Sequence, residues 1–146
     1  MSVVKSFYFN LPDSVELSSI RNLIGSDFTE NIDFPGTWNG TFLGMPITLC
    51  DDHGFVNDQG LDFEAYRYCV YLTSFSPHNL LVIQLAGVAH IAYSICSVFN
   101  GSGILVHNSQ ILVGRMEGRD HVVFDVEAGE PIDARCHFES YYWDTP

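Results

Sequence analysis

Between Arg67 and Arg115 the chain has no Asp, Glu, Lys or Arg: residues 68–114 are 47 formally uncharged positions in a protein of net charge −12. An exposed stretch of that length would need charged side chains to stay hydrated. Most of it must therefore be buried, against the rest of the chain or against a partner. The charges crowd into the flanks, where 18 acids face 6 bases. Any fold has to set acidic arms around an uncharged centre.

A length of 146 residues fits a single α+β domain spanning 1–146, large enough to bury a core without metal or disulfide support. A hydrophobic content of 47% excludes a disordered acidic tail. The opening MSVVKSFYFNLPD alternates like a strand and lacks the apolar run of an export signal. Cys50, Cys69, Cys96 and Cys136 are widely spaced with no CxxC pair, so they read as reduced and mostly buried, and the expected compartment is cytoplasmic. Asn39-Gly-Thr41 and Asn100-Gly-Ser102 match the glycosylation pattern but read as turns.

Residues 3–11 alternate and are rich in Val and Phe, which predicts a first strand. Asp13 and Glu16 have capping-box spacing. Leu17, Ile20, Leu23 and Ile24 share one helical face before Gly25, which predicts a helix over 14–24. Residues 26–40, rich in Asp, Asn, Gly and Pro, read as a loop. Leu43, Met45, Ile47 and Leu49 alternate, predicting a second strand over 41–50, and Pro46 places it at a sheet edge. A polar loop follows from 51 to 60, then a third strand over 64–75. Ser76-Pro77 starts a long helix that ends at Asn100-Gly101, and 103–107 forms a further strand. The order β-α-β-β-α-β predicts a ferredoxin-like sandwich, with the first and third strands central and a C-terminal β extension.

The long helix has the length of a membrane span, but Gln84 and His90 interrupt it and no Lys or Arg flanks it. Gln84, Gly87, His90, Ser94 and Ser97 form a weakly polar stripe on it. That stripe faces solvent or a loop on one reading. On the other, Gln84, Gly87, His90 and Ser94 line a homodimer interface.

No nucleophile elbow, phosphate loop or dinucleotide fingerprint occurs, and no cofactor is implied. The segment Asp51-Asp-His-Gly-Phe-Val-Asn-Asp-Gln-Gly-Leu-Asp-Phe-Glu64 fails the spacing of a calcium loop. Asp51, Asp52 and His53 could hold a transition metal or act as acid and base, which defines an alternative reading as a small metal-dependent hydrolase. The charge map says more. Between Asn22 and Tyr66 there are eight acids and no base. Such acidity disfavours nucleic acid and anionic membranes, and it suits a basic protein partner. Loops 26–40 and 51–64 would form the docking surface, through Trp38, Asp51, Asp52, Phe55, Asp58, Asp62 and Glu64. Phe28 and Phe34 would be further aromatic anchors beside them.

In size, acidity and the form of the long helix followed by Gly101-Ser-Gly-Ile-Leu-Val-His107, the chain resembles the immunity proteins of bacterial toxin systems. The resemblance implies a non-enzymatic protein that binds and blocks a basic toxin or enzyme. A self-associating structural domain is the third reading.

Overall fold

The computed structural model describes residues 3–51, 66–74, 79–107, 111–117 and 121–124. Strand β1 (Val3–Asn10) follows the alternation in its sequence and lies in the middle of the sheet. Beyond it a turn is closed by the Val15 amide donating to the Pro12 carbonyl at 3.0 Å. Helix α1 (Leu17–Ile24) then begins at Glu16, which makes no side-chain cap bond, so the expected capping box is not formed and the helix starts later than predicted. Gly25 ends it as expected, at φ 78 with its amide donating to Arg21.

The segment 26–40 is not all loop. It contains β2 (Thr29–Glu30) and most of β3 (Thr37–Phe42). The single strand expected over 41–50 is instead a hairpin corner. Leu43 and Gly44 turn with φ 51 and 75 into β4 (Met45–Asp51). Positive φ at both central residues is what a type I′ hairpin turn requires. Leu43 hid that turn, because a leucine extends the apolar alternation and rarely takes positive φ.

The uncharged centre supplies β5 (Tyr68–Ser74), α2 (Asn79–Phe99) and β6 (Ser102–His107), followed by β7 (Ile111–Glu117) and β8 (His121–Phe124). Asn100, at φ 56, turns the chain out of α2. The strands form one antiparallel sheet in the order β2-β3-β4-β5-β1-β6-β7-β8. Because β5 and β6 each run antiparallel to β1, they are parallel to one another, and α2 crosses over β1 to join them.

The ferredoxin-like sandwich is therefore corrected: the described residues form an eight-stranded antiparallel sheet with two helices on one face. Two strands intervene between α1 and β4. They escaped notice because Thr, Asn and Gly in 37–42 carry no apolar alternation, and pairing with β4 makes them a strand. The edge placement of Pro46 is also corrected, since β4 lies between β3 and β5. Pro46 is tolerated there because it faces Thr41 of β3, while pairing with β5 begins only at Ile47.

On the helix-bearing face, Leu49, Val70, Phe7 and Leu105 stand in one row across four strands. They pack with Ile20 of α1 and with Val88, Ile91, Ala92 and Ile95 of α2. The rings of Phe7 and Phe9 stack at 5.1 Å, and Phe9 meets Tyr68 at 5.5 Å. Among the described residues of α2, Val88, Ala89, Ile91, Ala92, Ile95 and Cys96 are buried in this core. Among the described residues no helix is long and apolar enough to cross a membrane. The opposite face carries a second buried cluster of Tyr8, Cys50, Cys69, Ile104 and Val106.

Candidate docking surface

The connection from β2 to β3 projects from one edge of the sheet and is tightly tied. The Asn31 amide donates to the Thr37 carbonyl at 2.8 Å, and the Thr37 amide returns to the Phe34 carbonyl at 3.1 Å. The Asn31 side-chain oxygen accepts from the Asp33 amide at 2.9 Å, an Asx turn. Gly36, at φ 86, then lets its carbonyl accept from the Asp51 amide at 2.9 Å. That last bond places the root of the first acidic segment beside the start of the second. Held in this way, the loop presents Ile32 at 94% exposure between the exposed Glu30 and Asp33, and Phe34 at 66% directly after Asp33. Large apolar side chains on a pre-ordered loop lose little entropy when a partner covers them.

The electrostatics of this edge follow from where the cations go. Arg21 lies 3.6 Å above the Trp38 ring centroid, joining α1 to β3. Arg67 grips Asp51 in a fork, Nε to Oδ1 at 2.9 Å and an Nη to Oδ2 at 3.3 Å, with its own amide donating to the Asn10 side chain at 3.0 Å. Lys5 is buried on the helix-bearing side of β1. Arg67 is thus paired at the surface, Arg21 lies on an aromatic ring and Lys5 is buried, while Asp13, Glu16, Asp27, Glu30 and Asp33 face solvent. An open cleft of about 580 Å³ beside the Arg67–Asp51 fork is lined in part by Asp13 and Glu16, adding to the same sign.

The structure sorts the sequence candidates. Trp38 is half-buried against the core beneath Arg21, so it braces β3 and is no free anchor. Phe28 likewise packs on the core. Asp51 is half-buried and already neutralised by Arg67. Asp52, His53, Phe55, Asp58, Asp62 and Glu64 lie outside the described residues. On α2, Gln84 and Gly87 face the sheet and not a second copy. Gln84 bonds the Leu72 carbonyl, and a Cβ on Gly87 would meet Leu72 at 3.0 Å and Leu43 at 3.2 Å. His90 is exposed and Ser94 half-buried, so only that side of the stripe points outward. Ile32 went unnoticed in the sequence, although an isoleucine between Asn31 and Asp33 in a polar turn was its signal.

The thiols are shielded. Burial pushes the Cys96 thiol up to about 12, and it raises Cys50 and, further, Cys69. Among the described residues no three His, Cys, Asp or Glu side chains gather as a metal site.

No protein-family profile matches the chain, and no curated protein or solved structure is significantly similar to it.

Proposed function

We propose that this chain is a non-enzymatic binding module that docks on a basic protein and blocks it, as an immunity or inhibitor protein does. The observation that carries the reading is the fate of the cations. Among the described residues Arg67 is paired with Asp51, Arg21 lies over Trp38 and Lys5 is buried, while Asp13, Glu16, Asp27, Glu30 and Asp33 face solvent, so the described surface around the β2–β3 loop is acidic. Its field draws a basic surface in and speeds association, and it weakens as salt screens it. Ile32 and Phe34 supply the apolar contact that charge alone lacks. The hydrolase alternative begins at Asp51, both of whose oxygens are occupied by Arg67.

The test is capture from a lysate of the source cells by immobilised protein, at low and high salt, with mass spectrometry of what is held. The reading expects one basic protein in stoichiometric amount, weakened by salt. Binding of that protein should fall at least about tenfold for Phe34→Ala, in the range of an interface hot spot. It should fall further when Asp27, Glu30 and Asp33 become Asn, Gln and Asn. Retention indifferent to salt and to all four substitutions would overturn it.

A further inference from the structure

Cys50 of β4 and Cys69 of β5 are direct partners in the antiparallel register, and both side chains belong to the buried cluster on the helix-free face. Both thiols are free. Directly opposed residues of an antiparallel pair have Cα atoms about 4.5–5.5 Å apart, inside the span of about 4.4–6.8 Å that a disulfide bridges. Polar groups lie beside both sulfurs: Thr37 near Cys50, and Tyr8 near Cys69 within the same buried cluster. Cys96, by contrast, belongs to the cluster on the other face of the sheet.

We propose that Cys50 and Cys69 are a redox-active dithiol that closes to a cross-strand disulfide when a hydroperoxide oxidises it. Cys50 reacts first, since it keeps 8% exposure while Cys69 has none. Its thiolate sulfur attacks one peroxide oxygen and the O–O bond breaks. The product is a sulfenic acid, and the departing hydroxide takes up the proton that Cys50 lost. The Cys69 sulfur then attacks the Cys50 sulfur, the S–O bond breaks, and water leaves with the Cys69 proton. Two thiols lose two electrons, and one hydrogen peroxide becomes two waters. Burial raises both thiols, Cys69 further than Cys50, so Cys50 is also the readier of the two to ionise. The same two cysteines bracket residues 51–68, so oxidation closes a covalent ring around the second acidic segment.

The experiment treats the folded protein with hydrogen peroxide, blocks remaining thiols in denaturant, and maps the peptides without reduction. A peptide pair joined through Cys50 and Cys69, with Cys96 and Cys136 still alkylated, is the expected result. Cys69→Ser should stop the reaction at a sulfenic acid on Cys50 that a dimedone-type reagent traps, and Cys50→Ser should leave Cys69 unoxidised. A bridge to Cys96 or Cys136 would overturn the proposal, as would four intact thiols in the native protein. Mapping of the unmutated chain decides the matter even if a serine variant fails to fold.

Discussion

The side chain of Gln84 donates from Nε2 to the backbone carbonyl oxygen of Leu72 at 2.8 Å, fully buried between α2 and β5. A polar group so placed is tolerable because it bonds a backbone oxygen with a second lone pair to offer. Gln84→Leu should cost about 1–2 kcal/mol by removing that bond. Gln84→Glu should cost about 3 kcal/mol or more at neutral pH, since it sets a buried carboxylate against a carbonyl oxygen. Urea unfolding of both variants checks this, and equal stability of the two would mean that residue 84 meets water.

Gly103 sits where no side chain fits. A Cβ there would overlap the Tyr8 carbonyl oxygen and the Phe7 ring. Gly103→Ala must therefore push β6 away from β1, and a loss of about 3 kcal/mol is expected from overpacking at a central strand. Gly101→Ala, whose Cβ would come no nearer than 3.1 Å to its neighbours, should be milder. Thermal and urea unfolding would rank the pair, and the opposite order would contradict the β1–β6 contact.

The Arg67–Asp51 fork is well formed but open to water, at 64% and 31% exposure. Screening limits such a pair to at most about 1 kcal/mol. Asp51→Asn should change stability by less than that, and the change should shrink in high salt. It should also affect partner binding less than Asp33→Asn, because Asp51 is already neutralised by Arg67. A larger binding loss at Asp51 than at Asp33 would move the docking surface to the cleft.

The buried thiols set an alkaline limit. Burial raises Cys96 from its ordinary value of 9.0 to about 12, so above pH 9 the unfolded chain releases a proton that the folded chain keeps. Stability from this group is fully present below pH 9 and is lost as pH climbs towards 12, by about 1.4 kcal/mol per pH unit. Cys50 and Cys69 shift in the same direction and steepen the decline. Urea midpoints between pH 8 and 11 should fall, and Cys96→Ala should fall less steeply. An unchanged slope in that variant would show that Cys96 ionises freely in the folded state.

What was legible in the chain was local. The alternation of Val, Phe and Tyr in 3–10 marks β1, Gly25 marks the end of α1, and Asn100 the exit of α2. The Gln84–Gly87 side of the α2 stripe misled, because small and amide side chains read as an outward seam. In the fold they make a groove that receives Leu72, Phe42 and Leu43. A helical wheel shows which residues share a side, but not whether a sheet or solvent faces it.

By itself the sequence pointed to residues 68–114 as the source of much of the core, and β5, α2 and β6 do supply Val70, Leu72, Val88, Ile91, Ile95 and Leu105 to it. Tertiary structure decided the rest. Segment 37–42 becomes a strand only because β4 offers it a ladder, and Arg21 and Arg67 meet Trp38 and Asp51 only through the fold. Pairing and charge compensation are non-local. They depend on which residues the sheet brings together, and the order of residues along the chain does not state that.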